Sequence, residues 1–178
     1  EKSNLMITDS ITYAKRIQDA ILPAQDDLTT VFSDDFFVFY KPSQIVSGDF
    51  YWCSSHHYKI IFVVADCTGH GVPGAFMSMI GNTLLNEIVN ERQVTCTKKI
   101  AELLNEKIIH SLRQHEGTQK YDGIDISICS IDKHTKEINY TSANHSMYTF
   151  NGQLKKVKGN PFSIGGAQQQ DKKLFTAQ

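Results

Sequence analysis

The sequence of 178 residues has no long apolar run and no excess of charge of one sign. Its longest apolar stretch, residues 60–65, is far too short to cross a lipid bilayer. The 18 basic and 19 acidic residues give a net charge of −1, which provides no electrostatic footprint for nucleic acid or for anionic lipid. We therefore expect neither membrane contact nor nucleic-acid binding by this domain.

Cysteine is scarce as well, and its spacing is uninformative. The four cysteines form no CxxC pair, and they stand at Cys53, Cys67, Cys96 and Cys129. A zinc or redox protein built on these residues is excluded by spacing alone. No secretory signal pattern opens the sequence, so reduced thiols in a cytoplasmic protein are the expectation. With 40% apolar and 21% charged residues, the composition is that of an ordinary globular domain.

The order of the predicted elements indicates an α+β fold with antiparallel strands. A helix at residues 5–22 is followed by a surface connection at 24–35 and a short buried strand at 36–40. The hairpin at residues 46–67 precedes helices at 72–90 and 97–114. Alternating or β-branched residues then predict strands at 124–131, 137–142, 147–150 and 154–157, a loop at 161–166 and a further strand from residue 172.

The first helix carries a narrow apolar stripe. Ile7, Ile11, Ala14 and Ile21 follow an alternating four-three spacing, and Gln18 fills the fifth place of that stripe. Such a seam is typical of a coiled coil. Two interpretations are open, since the helix could cover the core of its own domain or pair with a second copy.

The stretch from residue 46 to residue 74 organises the remainder of the chain. If the hairpin turn is centred between His57 and Tyr58, Asp49 lies directly opposite Asp66. Two carboxylates about 5 Å apart repel by about 3 kcal/mol at an effective dielectric constant of about 20. A sheet that places them there needs a bridging cation or a raised pKa on one of them.

A glycine-rich turn follows the second carboxylate. Gly69, Gly71 and Gly74 lead into a helix N-terminus, whose free N–H groups favour a phosphate. Carboxylate oxygens beside such a turn suit Mg²⁺ or Mn²⁺, and a pair of these ions can activate water for phosphate-ester hydrolysis. The arrangement requires no covalent intermediate, and no His–Asp relay accompanies Cys67 as a nucleophile.

Several segments together resemble the metal-dependent protein phosphatases, in the SpoIIE/RsbU-type branch of the protein phosphatase 2C-like (PPM) superfamily. The resemblance is carried by VSGDFYW, VADCTGHGVPGAFMS, DGIDISIC, YTSANHSMY and NPFSIG. It implies an α-β-β-α sandwich that dephosphorylates phosphoserine or phosphothreonine on a partner protein. The opening segment, ITDSITYAKRIQDAILP, resembles the linker to an upstream sensor domain, so residues 1–23 are assigned to a linker and 24–178 to the phosphatase domain.

The resemblance also implies roles for individual residues. Asp49 would ligate one or both metals, Asp66 would bridge both, and the main-chain carbonyl of Cys67 would complete a coordination sphere. We hypothesise that His70 binds phosphate or protonates the leaving oxygen. The alternative for His70 is a hydrogen bond that stabilises the turn.

Other residues of these motifs have less certain assignments. Alternation along the strand puts the side chain of Asp125 on the opposite face from those of Ile124 and Ile126. There it could point to solvent or contribute to a metal site. Asp122 belongs to the same motif. The pair Asn144-His145 resembles a family turn that is structural or close to the substrate.

The sequence lacks two acidic motifs that this family normally carries later in the chain, a TDG-like aspartate and a final Asp-Asp pair. We therefore expect an incomplete domain that is nearly inactive by itself. The partner implied by the resemblance is an anti-sigma-factor antagonist in a partner-switching system. The alternative function is a non-catalytic signalling module that forms a homodimer through residues 5–22.

Overall fold

The computed structural model of the chain describes residues 2–114, 122–166 and 174–178. Its helices are α1 (Lys2–Ile21), α2 (Gln25–Phe32), α3 (Gly71–Leu85), a π-helical turn (Asn86–Glu91) and α4 (Thr97–Ser111). Its strands are β1 (Phe50–His56), β2 (Lys59–Cys67), β3 (Gly123–Asp132), β4 (Ile138–Ala143), β5 (Ser146–Phe150), β6 (Leu154–Lys158) and β7 (Ile164–Gly165). Among the described helices, none combines the length and the apolarity that crossing a membrane requires.

Antiparallel pairing connects the strands of the main sheet. They follow the order β1-β2-β3-β4, with β7 paired to β3, while β5 and β6 form a separate hairpin. Phe50 pairs with Ala65, and His56 pairs with Lys59. This is the register of a turn centred between His57 and Tyr58, so the predicted hairpin and the α+β class are confirmed.

One face of the main sheet forms the core with α3, α4 and the π-helical turn. Because side chains alternate along a strand, every second residue of β2 is buried on this face, whereas Val64 and Asp66 are exposed on the other. The fully buried members of the core include Ile61, Leu85, Ile88, Ile100, Leu104, Ile108, Ile124, Ile126 and Ile128. The opposite, outer face of the sheet is therefore available for a polar site.

The structure corrects two predictions for the segment before β1. Residues 24–35 are not only a connection, since α2 lies within them. Residues 36–40 form neither a helix nor a ladder with any described strand, and Phe37 and Phe39 are 89% and 84% exposed. The rings of Phe36 and Tyr40 pack against those of Phe32 and Tyr51. The prediction of a buried strand was wrong. It rested on the apolar composition of the segment, and composition does not determine whether a neighbouring strand is there to pair with it.

Two predictions near the C-terminus differ from the structure. The strand predicted from residue 172 lies partly outside the described residues. Its described part, residues 174–178, is not a strand, although Gln178 and Tyr140 exchange backbone hydrogen bonds of 2.7 and 2.8 Å. The predicted loop at residues 161–166 contains the short strand β7.

Helix α1 packs on α3 through its C-terminal half. Ile11, Ala14 and Ile21 are half-buried there, and Gln18 is 2% exposed. By contrast, Met6 and Ile7 near the N-terminus are exposed. The predicted seam thus faces the helix's own domain over its C-terminal half, which supports the first of the two interpretations for that half.

Candidate functional site

Asp49 and Asp66 lie side by side at the end of the β1–β2 hairpin. Asp49 comes one residue before Phe50, and Asp66 comes one residue after Ala65, the last pair of the β1–β2 ladder. Their side chains are within hydrogen-bonding reach. The pKa of Asp49 is raised, first by partial burial and then by the hydrogen bond and the negative charge of Asp66, while His145 acts in the opposite direction. Such a pair gains stability from binding a proton or a cation.

A third carboxylate extends this row onto the next strand. Asp125 pairs directly with Asp66 across β2 and β3, so the two side chains share a face with Asp49. The Asn144 side-chain amide donates to Asp125 at 2.7 Å, and the Ser163 hydroxyl donates to its other oxygen. Asp125 is half-buried rather than simply solvated. It therefore belongs to the site, with a fixed orientation.

The backbone of Asp49 is held from both sides. Its N–H donates to the Ser47 hydroxyl at 3.0 Å, and its carbonyl accepts from the Tyr40 hydroxyl at 3.1 Å. The ring of Tyr40 packs edge-on against that of Tyr51, with centroids 5.7 Å apart. These contacts restrict the position of Asp49 before any ligand binds.

The turn that precedes α3 lies directly against the entrance of β1. A Cβ atom on Gly48 would stand 2.9 Å from the Gly69 carbonyl oxygen and 3.0 Å from that of Cys67. One on Gly74 would stand 2.5 Å from the same Gly69 oxygen and 3.0 Å from the Gly48 Cα. Glycine is required at both positions because two backbones meet there. This contact sets the distance from the carboxylates to the start of α3.

His70 forms the N-cap of α3, and its side chain makes no capping hydrogen bond. Gln44 Nε2 donates to His70 Nδ1 at 3.0 Å. The ring lines a cleft together with Asp66 and Asp125. The geometry is thus compatible with both interpretations of His70, since it holds a hydrogen bond in the turn and also faces the carboxylates.

Cys67 is buried behind the carboxylates. Burial raises the pKa of its thiol far above the usual range, and the charges of Asp66 and Asp49 raise it further. A thiol held in its neutral form is a poor nucleophile, in agreement with a mechanism without a covalent intermediate. Its carbonyl oxygen faces Gly48, beside the first carboxylate.

The remaining motif residues support loops around the site. The carbonyl of Asp122 accepts hydrogen bonds from Gln114 Nε2 at 2.6 Å and from the Gly166 N–H at 3.0 Å. Asn144 has a φ of 55° and directs its side chain to Asp125. Asp122 lies outside the row of carboxylates, whereas Asn144 holds one member of it.

The donor set of the site fits a hard divalent cation. Asp49 and Asp66 offer carboxylate oxygens, and the Cys67 carbonyl is adjacent. The pKa of Asp49 is raised, first by burial and then by the neighbouring Asp66. Across the described residues, however, no three His, Cys, Asp or Glu side chains converge closely enough to hold an ion. The pair can therefore hold a cation only with water or with further ligands.

Comparison with solved structures defines the class of the fold as a PP2C-type phosphatase domain. The SiaA PP2C domain of Pseudomonas aeruginosa matches with a TM-score of 0.84 and 25% identity over 98% of this chain and 67% of that one. The PP2C domain of SpoIIE from Bacillus subtilis matches with a TM-score of 0.55 and 22% identity over 75% and 38%. RsbX in complex with magnesium matches with a TM-score of 0.52 and 15% identity, over 75% of this chain and 59% of the RsbX chain.

The sequence itself identifies the family. The model of Stage II sporulation protein E (SpoIIE) matches residues 56–158, which is more than half of the chain. This chain belongs to the SpoIIE family, and phosphatases of the PP2C type depend on metal ions. No curated protein matches it. The chain spans about two thirds of the SiaA domain but little more than a third of the SpoIIE chain.

The position of Asp125 in the sheet depends on a partner strand that is far away in the sequence. A sequence-level indication existed, since Ile124 and Ile126 fix Asp125 on the outer face. The pairing of Asp125 with Asp66 joins segments that are separated by two helices, and only the folded sheet reveals it. Ser163 lies in the segment NPFSIG, but no role was assigned to its hydroxyl from the sequence.

We predict that Gly48→Ala destabilises the domain by about 1–3 kcal/mol, the usual cost of inserting a methyl group into a packed contact. Urea unfolding measures the change. Gly152→Ala is the matched control, because Gly152 has no neighbouring atom within 4 Å of the added methyl and a φ of +76°. Its cost arises from the backbone alone, about 1–2 kcal/mol. Mn²⁺ affinity should fall in Gly48→Ala only, and equal affinities in the two variants would contradict the tight contact.

We also predict that Asp49→Asn stabilises the chain at neutral pH when divalent cations are absent. A raised pKa means that ionisation of Asp49 disfavours the folded state. The contribution of protonated Asp49 to the stability of the fold is therefore fully present below about pH 4, and it is lost as pH rises through the raised pKa. The difference in Tm between variant and wild type should therefore grow with pH above about 4.

Adding Mn²⁺ should make the Tm of the wild type higher than that of Asp49→Asn. At about a hundred times its Kd, the ion would stabilise the wild type by about 2.7 kcal/mol and the variant by much less. Asp9→Asn, which removes an exposed charge on α1, serves as the control. A Tm difference that does not vary with pH would contradict the raised pKa of Asp49.

Proposed function

We propose that this chain is part of a Mg²⁺- or Mn²⁺-dependent phosphatase that hydrolyses phosphoserine or phosphothreonine on a partner protein. The observation that carries the proposal is the pair Asp49–Asp66, two adjacent carboxylates. Partial burial raises the pKa of Asp49, and the hydrogen bond and negative charge of Asp66 raise it further. Such a pair destabilises a sheet that binds no ligand, whereas a cation-binding site requires adjacent carboxylates. Membership of the SpoIIE family agrees with this chemistry.

Each residue of the site would have its own role in hydrolysis. Asp49, Asp66 and the Cys67 carbonyl would hold two divalent cations, which would supply an ionised water and neutralise the phosphoryl group. The first N–H groups of α3 would donate to phosphate oxygens, assisted by the helix dipole. His70, at the start of that helix, would hold phosphate or deliver a proton to the leaving hydroxyl.

We extend the proposal to the biological setting. The substrate would be an anti-sigma-factor antagonist, and an upstream sensor joined through residues 1–23 would control activity. The four cysteines are free, which supports a cytoplasmic location. Because the described residues provide no cluster of three acidic or histidine ligands, we expect the 178 residues alone to turn over phosphoesters only slowly.

We predict that Asp66→Ala in the full-length parent lowers kcat/KM at least about a hundredfold, since the metal charge stabilises the transition state by several kcal/mol. A phosphoserine peptide and p-nitrophenyl phosphate, each with Mn²⁺, are the substrates. Asp35→Asn, at an exposed carboxylate before β1, provides the matched control. Phosphatase activity that survives Asp66→Ala would refute the proposal.

The second candidate is a dimerising module that uses α1. Tyr13 and Ile17 are exposed one helical turn apart, with relative exposures of 64% and 43%. We predict that the double variant Tyr13→Glu/Ile17→Glu converts a dimer into a monomer, because it places charges in an apolar contact. Light scattering over a range of concentrations measures this, with Arg16→Glu as the control. A wild-type chain that stays monomeric throughout would remove the dimer from consideration.

A further inference from the structure

The indole of Trp52 is buried, yet its N–H finds no acceptor in the protein. Trp52 is 4% exposed, and among the described residues no hydrogen bond includes its Nε1. A buried indole N–H usually has a partner, because leaving such a donor unpaired is costly. A donor of this kind points to an acceptor from outside the chain.

The position of Trp52 separates it from the carboxylates. Trp52 pairs with Val63 in the β1–β2 ladder, and Val63 is buried on the inner face of the sheet. Directly paired residues share a face, so the indole also lies on the inner face. Asp66 is exposed on the outer face. Whatever contacts the indole is therefore not part of the carboxylate site.

A cleft of about 290 Å³ opens beside Trp52, between the end of α1, helix α2 and strand β1. Most of the residues that line it have apolar side chains, among them Ile21, Leu22, Pro23, Leu28 and Val31. Sites for small molecules are typically concave, with many apolar side chains and a few polar groups that orient the ligand. The volume is at the low end of the range for such sites, so it suits a compact molecule.

The indole N–H reaches open space rather than the closed interior. In the part of the chain that the structure describes, every fully enclosed side-chain nitrogen and oxygen atom has a hydrogen-bond partner. Because the Nε1 of Trp52 has none, it is not fully enclosed. The cleft is the open space that this side chain lines, so we place the N–H at the cleft.

The other polar groups of the cleft restrict the ligand further. The Asn86 amide is already engaged, since its Nδ2 donates to Asn82 at 2.9 and 3.0 Å and its Oδ1 accepts from Asn90 at 2.7 Å. Burial raises the pKa of the Cys53 thiol to about 11, so the thiol adds no charge at neutral pH. Asp27 is exposed and is the one charged residue among the described residues of the lining. Its carboxylate disfavours an anionic ligand.

We propose that this cleft is a binding site for a small neutral carbonyl compound, whose oxygen accepts the hydrogen bond of the Trp52 N–H. A ketone, a lactone or a cyclic amide has this chemistry. The apolar side chains hold the body of the ligand, and the indole N–H orients it. The site goes beyond the proposed phosphatase function, and its test needs neither a divalent cation nor a phosphoester.

Cyclohexanone and methylenecyclohexane test the proposal, because they have nearly the same shape and only the first carries an oxygen. Trp52 is the only tryptophan of the chain, so the ¹⁵N-labelled protein has a single indole N–H resonance. We expect cyclohexanone to shift this resonance to saturation and to bind at least about fivefold tighter than the hydrocarbon, the usual worth of one hydrogen bond. Equal affinities would overturn the proposal. No binding of either compound up to its solubility limit would also overturn it and assign the N–H to water.

Three variants locate the binding site. Trp52→Phe keeps an aromatic ring and removes the N–H, and ligand-observed NMR should show the affinity for cyclohexanone falling to that for methylenecyclohexane. Val31→Phe fills the cleft, keeps the indole resonance and should abolish binding of both compounds, which also serves if Trp52→Phe fails to fold. Tyr148→Phe removes a hydroxyl from an exposed ring on β5 and should leave both affinities within about twofold. Cyclohexanone binding that survives Val31→Phe would overturn the assignment.

An anionic probe tests the chemical class of the ligand. Cyclohexanecarboxylate at neutral pH has a similar ring and two acceptor oxygens. We expect it to bind more weakly than cyclohexanone to the wild type, because the Asp27 carboxylate repels it, and to recover affinity in Asp27→Asn. Tighter binding of the carboxylate than of the ketone by the wild type would overturn the assignment to a neutral ligand.

Discussion

Repulsion between carboxylates on neighbouring strands is the constraint on which this structure depends. Two charges about 5 Å apart cost about 3 kcal/mol at an effective dielectric constant of about 20. Each large apolar side chain buried on the inner face of the same strands contributes about 1.5–3 kcal/mol. Since β2 alone buries Ile61, Val63 and Ala65, the core outweighs the repulsion and holds Asp49 and Asp66 together. The sheet can therefore maintain a site with unbalanced charge before a cation arrives.

The sequence predicts the parts of the site that depend on local pairing. The register of β1 and β2 follows from one turn and from alternating side chains, so Asp49 and Asp66 are found without a structure. The position of Asp125 depends instead on a contact between distant segments. Its pairing with Asp66 brings together strands separated by α3 and α4, and no local pattern specifies which strand lies beside β2.

Gln18 shows how a pattern can locate a residue correctly and still mislead about its function. A polar residue within an apolar seam suggests a coiled-coil position that selects a partner helix. In the structure, the partner is the backbone of Ser47 in the same chain. Periodicity identifies the face of α1 that is buried, but the identity of what covers that face depends on tertiary contacts.

The exposed segment at residues 36–40 has a consequence for the behaviour of the chain in solution. Phe37 and Phe39 present aromatic rings to solvent from a segment that pairs with no described strand. A segment of high β-propensity without charge is a template for edge-to-edge association with other chains. Association of the chains through intermolecular strand addition at this segment should therefore increase with protein concentration, independently of α1 and of the metal site.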